Sequence, residues 1–174
     1  AKQLGVANPD EIATAALLHD VGKLISLITW PKEALDLYSP LGLSGHELLA
    51  EKEPDLGVGH SALGQEVARM WGLPHLISIT IGLHHSPLFR PPSQVQGNHR
   101  AIAIVPIANL MSHLTHCHVT GQPAPKAWLP QQGWLEFLGV RDGLRSLCTP
   151  QVVLGLLPPH LVKGDIPDED QVAA

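Results

Sequence analysis

Three separated segments of the sequence carry side chains that could bind a metal ion. His19 and Asp20 are adjacent, His60 follows later in the chain, and His84 and His85 form a second adjacent pair. Asp is a hard oxygen ligand and His a nitrogen ligand of intermediate softness. Together they can serve one or two divalent ions of the Mn, Fe, Mg or Zn kind. Taken singly, each histidine also has an ordinary structural role open to it, in the core or at a helix end.

Lys23 adds a positive charge one helical turn after the first pair. An Asp and a Lys interrupt an otherwise apolar helical pattern there, which burial alone does not explain because charged residues are rarely buried without partners. The ammonium could contact a phosphate group, or it could extend along the helix to solvent. If the chain is an enzyme, Asp20 and Lys23 are its predicted catalytic residues.

A series of helices must position these residues. Asn8-Pro9-Asp10-Glu11 is typical of a helix start and Trp30-Pro31 of its end, which places His19 and Asp20 in mid-helix. Segment 100–118 is ambiguous, because the composition of 101–105 would also suit a buried strand. Its length and the spacing of its apolar residues favour a helix kinked at Pro106. Other helices are predicted at 44–57, 60–71, 74–85, 131–138 and 150–157.

Composition narrows the class of protein. The 174 residues are 44% hydrophobic and 16% charged, which favours a folded domain with one core. A formal net charge of -5 and the lack of a basic run argue against a nucleic-acid partner. The most apolar stretch, 101–114, is short and interrupted by polar residues, so we expect no membrane partner and a cytoplasmic location. Because the sequence begins with Ala1 and a helical pattern follows at once, we expect a part of a longer polypeptide.

Four motifs, in this order along the chain, resemble the helical core of the HD superfamily. They are His-Asp-Val-Gly-Lys at 19–23, Gly-His-Ser-Ala-Leu-Gly at 59–64, Trp-Gly-Leu-Pro at 71–74 and Ile-Gly-Leu-His-His at 81–85. The last two are similar to the HDOD (HD-related output domain) branch, and the resemblance extends to about Leu157. It implies a compact all-α bundle over residues 1–164, without its N-terminal helices, followed by an acidic tail over 165–174.

The resemblance also implies roles for individual residues. In metal-dependent HD phosphohydrolases the corresponding lysine contacts phosphate, a role that falls on Lys23 here. The implied metal ligands are His19, Asp20, His60, His84 and His85, with Asn109 as a weak ligand in the place of a closing Asp.

Two departures from that pattern weaken an enzymatic interpretation. Catalytic HD domains take a first ligand histidine from an earlier helix, and residues 1–18 contain none. At the closing position Asn109 is neutral, so a cation would be compensated by one carboxylate, which lowers affinity and changes how strongly bound water is acidified. The residues after His85 also lack the Gly-Tyr-Pro signature of cyclic-di-GMP phosphodiesterases, and we reject that substrate.

These features support three hypotheses about function. The favoured one is a bacterial signal-transduction module that acts by protein or ligand binding, with a signalling protein or a neighbouring domain of the same polypeptide as its partner. The alternative is a metal-dependent phosphohydrolase of a phosphate ester or nucleotide, in which Lys23 stabilises the phosphoryl charge. A third is a sensor that binds a nucleotide or phosphate without chemistry.

The remaining histidines lack a ligand spacing with any carboxylate. We expect His99, His113, His116 and His118 to face solvent or a loop. Trp71 is predicted to anchor the core, and Trp134 to hold the C-terminal part of the chain against the bundle.

Overall fold

A computed structural model describes residues 6–38, 53, 57–120, 132–140 and 155, except the side chains at 114, 115, 117–120 and 132. Within these residues there is no strand, and a short 3-10 turn covers Pro92–Gln94. The predicted all-α class is confirmed. The helices are α1 (Pro9–Leu18), α2 (Val21–Thr29), α3 (Pro31–Tyr38), α4 (His60–Met70), α5 (His75–Leu83), α6 (Ser86–Phe89), α7 (His99–Thr120) and α8 (Gln132–Phe137).

Two apolar clusters hold the helices together, and α1 contributes to both. Ile12 packs into a large cluster around the buried side of α7, from Ala101 to Ile107. Ala15, almost one turn further along α1, packs with Ile81 and other residues of α4 and α5. Because i and i+3 lie on neighbouring parts of a helix surface, α1 can bridge the two clusters. The first helix therefore fixes the end of α5, where His84 and His85 lie, relative to α7.

The ambiguous segment before the C-terminal region is helical, as the sequence analysis favoured. α7 includes Pro106 within its length. α8 packs against α7, where Trp134 is fully buried and its Nε1–H donates a hydrogen bond to the carbonyl of Arg90 at 2.7 Å. That role of Trp134 was predicted. The prediction for Trp71 was wrong, since its side chain is 58% exposed at the end of α4.

The predicted first helix is divided at the pair that matters most for function. α1 ends at Leu18 and α2 begins at Val21, so the placement of His19 and Asp20 in mid-helix was wrong. His19 Nδ1–H donates to the carbonyl of Ala16 at 2.7 Å, and the carbonyl of Asp20 accepts the Lys23 N–H at 2.9 Å. Side-chain bonds to nearby backbone compete with a continuous helix. The break leaves Asp20 at the start of α2, facing α4 and α5.

Gly22 allows α2 to come very close to α4. A Cβ at this position would lie 1.9 Å from the carbonyl oxygen of His60 and 2.9 Å from the backbone nitrogen of Gly64. Atoms in folded proteins do not approach so closely, so only glycine fits here. The close contact places Asp20 beside His60.

The stretch Pro9–Thr29 is long and apolar enough to cross a membrane, by length and composition alone. It keeps an exposed apolar surface that includes Leu17, Leu24 and Ile28. The same stretch is broken in its middle at His19 and Asp20, whose side chains contact residues of other helices. Charged and polar groups are costly within a bilayer. The absence of a membrane partner stays a prediction.

Several sequence predictions lie outside the described residues. They are the helix over 44–57, apart from Glu53 and Gly57, the helix over 150–157, apart from Gly155, and the acidic tail over 165–174. The boundary of the domain at residue 164 likewise stays a prediction.

Candidate metal centre

Four of the predicted ligands meet where α2, α4 and α5 come together. Asp20 precedes α2, His60 is the first residue of α4, and His84 and His85 directly follow α5. One ligand atom from each of the four lies within 4.8 Å of all the others. His60 Nε2 is 3.4 Å from His84 Nε2 and 3.0 Å from His85 Nε2. Asp20 Oδ1 is 3.2 Å from His60 Nε2 and 3.7 Å from His84 Nε2.

These distances fit the edges of a small coordination shell. When a metal lies about 2.0–2.1 Å from each of four ligands at the corners of a tetrahedron, neighbouring ligand atoms are about 3.4 Å apart. Four of the six separations are 3.0 to 3.7 Å, and the two from His85 to Asp20 and to His84 are within 4.8 Å. Asp20 Oδ1 is buried and makes no hydrogen bond to any described residue, although nitrogen atoms surround it. The four residues could therefore hold a divalent cation.

The histidine rings are oriented by bonds on their far side. His84 Nδ1–H donates to the carbonyl of Ile81 at 2.6 Å, and His60 Nδ1–H donates to the carboxylate of Glu53. Because the carbonyl can only accept, Nδ1 of His84 carries its proton and Nε2 keeps a lone pair. Hydrogen bonds of this kind fix the tautomer and direction of histidines that ligate metals. Both rings present Nε2 to Asp20.

Burial and neighbouring charges shift the pKa values of three of the four converging ligands. Burial, together with the charges of His60 and His19, lowers the pKa of His84 to about 3, so its imidazole is neutral at physiological pH. Burial opposes ionisation of Asp20, but the nearby His60, His19 and Lys23 outweigh it and hold the pKa of that carboxyl well below its usual range. For His60, burial lowers the pKa, and the adjoining carboxylates of Asp20 and Glu53 outweigh burial and raise it. The lowered pKa of Asp20 and the raised pKa of His60 both show that positive charge beside the Asp20 carboxylate is stabilised.

The second oxygen of Asp20 faces other groups. Lys23 Nζ donates to Asp20 Oδ2 at 2.7 Å, and His19 Nε2 lies 3.4 Å from the same atom. The ring of His19 meets that of His84 edge to face, with centroids 5.0 Å apart. His19 thus lies beside the four converging ligands, with its Nε2 buried and without a hydrogen bond to any described residue, and its ligation stays a prediction. Asn109 is half-buried on α7, and its weak ligation stays a prediction.

Burial differs across the site. The side chains of His60 and His84 are 1% and 2% exposed, whereas those of Lys23 and Asp20 are 23% and 36% exposed. Solvent, or a ligand, can thus reach the centre from the side of Asp20 and Lys23.

Sequence reasoning missed two residues of this region. Glu53 belongs to a charged segment whose composition is typical of a solvated surface, yet its side chain is buried against His60. His113 of α7 was expected at solvent or in a loop, yet it is half-buried. Burial lowers the pKa of His113, and this effect outweighs the charge of Asp20, which raises the pKa. The one feature of the sequence that could have indicated burial of His113 is its position four residues after Asn109, on the same face of the helix. Glu53 has no comparable signal in its spacing.

A bundle of helices that presents a His-Asp pair to two later histidine motifs defines an HD-type domain. A family model of the HDOD domain matches residues 1–87, half of the 174-residue chain, and the chain belongs to this family. The matched residues include all four converging ligands and Lys23, while α7 and α8 follow the match. Neither the curated proteins nor the solved structures gave a match.

Proposed function

We propose that this chain is a signalling output module whose metal centre ties three parts of the bundle together for recognition by a partner. The carrying observation is that Asp20, His60, His84 and His85 supply four ligand atoms within 4.8 Å of one another, with four of the six separations at 3.0 to 3.7 Å. Structural zinc-type sites use four protein ligands, whereas hydrolytic sites use three and leave a position for water. A complete set of protein ligands supports binding and conformational roles over hydrolysis.

The charges and types of the ligands bear on which metal the centre would hold. Asp20 is the single carboxylate among the four converging ligands, and Lys23 shares its other oxygen. A divalent cation held there would keep a net positive charge, because three of its four ligands are imidazoles and only one is a carboxylate. Three imidazole nitrogens favour Zn or Fe over Mg, which prefers oxygen ligands. The proposed partner is a neighbouring domain or a separate signalling protein in the bacterial cytoplasm.

Metal content measured beside turnover tests this proposal. The tag-free protein, purified from medium supplemented with Zn, Fe and Mn, should contain about one ion per chain and hydrolyse neither phosphomonoesters nor phosphodiesters. Asp20→Ala should lose the ion. Asp36→Ala, which removes an exposed carboxylate of α3, is the matched control and should keep it. Turnover that disappears in Asp20→Ala would overturn the regulatory proposal.

The partly exposed side of the centre supports a second candidate function, hydrolysis of a phosphate ester. Lys23 and Asp20 are the partly exposed members, so a phosphate could approach the ammonium there. In a phosphohydrolase Lys23 would bind the phosphoryl oxygens, and a bound metal would supply a polarised water. Turnover by the wild type that falls strongly in Lys23→Met would support this candidate. A rise in melting temperature on addition of nucleotide or inorganic phosphate, without turnover, would instead indicate a ligand sensor.

A further inference from the structure

Glu53 is a buried carboxylate that lies directly behind the metal centre. Its side chain is 9% exposed and contacts the side of His60 opposite to Asp20. A buried carboxylate is costly unless hydrogen bonds and nearby positive charge compensate it. Its presence therefore needs an explanation from the groups it contacts.

Three donors converge on this carboxylate, and two of them belong to one residue. The backbone N–H of His60 donates to Glu53 Oε2 at 3.1 Å, and the ring Nδ1–H of the same residue donates to Oε1. Tyr38, the last residue of α3, donates its hydroxyl to Oε1 at 3.3 Å. Glu53 thus fixes both the backbone at the start of α4 and the ring that begins that helix.

The two contacts with His60 have different consequences. The bond to the backbone N–H satisfies a free donor at the first turn of α4, where negative charge is also favourable. This part is structural. The bond to Nδ1–H holds the proton on that nitrogen, so the lone pair of His60 lies on Nε2, 3.2 Å from Asp20 Oδ1. A charged acceptor at Nδ1 also makes Nε2 a stronger donor to a cation.

We propose that Glu53 is a positioning residue of the metal centre, which fixes the tautomer of His60 and strengthens its bond to a divalent cation. This inference rests on the proposed metal-binding function. Through Tyr38 the same carboxylate connects the centre to α3, a helix that contributes none of the four converging ligands.

Zinc affinity of matched variants tests the proposal. Glu53→Gln keeps the size of the side chain and one oxygen acceptor but removes the charge, and it should weaken zinc binding about 10- to 100-fold in competition with a chromogenic chelator. Glu33→Gln makes the same change at an exposed position of α3 and should leave the affinity within about twofold of wild type. Tyr38→Phe, which removes only the hydroxyl donor, should also retain tight binding.

Two further readouts separate positioning from simple support of the fold. The absorption spectrum of the Co2+-loaded protein should change in Glu53→Gln, because the ligand field at His60 changes. If that variant does not fold, the zinc-loaded wild type still decides, since long-range 1H–15N spectra should show the proton of His60 on Nδ1, protected from exchange. A proton on Nε2 would overturn the proposal.

The possible failures are distinguishable. If wild type binds no zinc, the proposed function is wrong and this inference falls with it. If wild type binds zinc and Glu53→Gln binds it equally well, with only its metal-free melting temperature lowered, Glu53 is a helix cap alone. In that case the inference is wrong and the metal centre stands.

Discussion

Individual histidines of the centre must meet different requirements before they can bind a cation. His84 is already neutral, because burial lowers its pKa to about 3. Asp20 and Glu53 instead raise the pKa of His60 above the ordinary value of 6.5, so His60 keeps a second proton to a higher pH than His84 does. A cation would therefore compete with a proton at His60 but not at His84.

This difference predicts a pH dependence of metal binding. Below the raised pKa of His60, binding should release about one proton per ion, and affinity should rise with pH until that pKa is passed. Calorimetric titration with zinc in pairs of buffers of different ionisation enthalpy, repeated at several pH values, measures the release. Release should decrease as the pH rises through the raised pKa of His60. Proton release that begins to fall below pH 6.5, the ordinary pKa of a histidine, would contradict this assignment of protons.

At the residue scale the sequence predicted the ligands better than their supports. His60, His84 and His85 lie in recognisable motifs, and the structure brings them to Asp20. Glu53 could not be predicted, because its contact with His60 is a tertiary contact that the spacing of residues does not specify. His19, predicted as a ligand together with Asp20, lies beside the other carboxylate oxygen, and its ligation stays a prediction.

At the scale of helices, the contact between α2 and α4 determines whether Asp20 reaches His60. Gly22→Ala should destabilise the fold by about 3 kcal/mol or more and abolish metal binding, since its Cβ would meet the backbone of His60, which cannot yield without moving α4. Gly133→Ala is the matched control, because a Cβ there meets only Pro92 at 3.4 Å, an ordinary contact. Urea unfolding and zinc titration of both variants measure the effect. A Gly22→Ala protein of wild-type stability would contradict the described contact.

The contact between α7 and α8 should be independent of the metal centre. Trp134→Phe removes the hydrogen bond to the carbonyl of Arg90 and part of a fully buried ring, which should cost about 2 kcal/mol of unfolding free energy. Zinc affinity should not change. Trp71→Phe, at a largely exposed tryptophan, should shift stability by no more than about 0.5 kcal/mol. A large loss of zinc affinity in Trp134→Phe would show that the two regions are coupled.

α4, α5, α7 and α8 followed from the sequence, while the short helices α3 and α6 and the break between α1 and α2 did not. Apolar spacing and the Gly72 and Pro74 turn predicted α4 and α5 closely. The residues around His19 and Asp20 have good helical spacing too, so local pattern favoured one continuous helix. The tertiary contact of Asp20 with His60 opposes that preference, and such a contact cannot be read from spacing alone.

For the whole molecule, a metal ion would join the start of α2, the start of α4 and the end of α5. Because an ion that binds only the folded chain stabilises it by mass action, free zinc at about 100-fold above its dissociation constant should add about 2.7 kcal/mol to the free energy of unfolding. For a domain of this size that corresponds to a rise of about 5–10 °C in melting temperature. A chelator should reverse the rise.

Matched histidine variants show whether that stabilisation comes from this centre. His84→Ala should remove the zinc-dependent rise in melting temperature, because it deletes a buried ligand. His75→Ala, at an exposed histidine in the first turn of α5, should leave the rise unchanged. A rise that persists in His84→Ala would place the stabilising ion elsewhere.

The location of a bound ion is the most direct test of the proposed metal centre. Crystals of the protein purified with zinc, measured at the zinc absorption edge, give that location by anomalous scattering. The account predicts one strong peak among Asp20 Oδ1, His60 Nε2, His84 Nε2 and His85 Nε2. No peak among these atoms, or a peak between His19 and Lys23 instead, would contradict it.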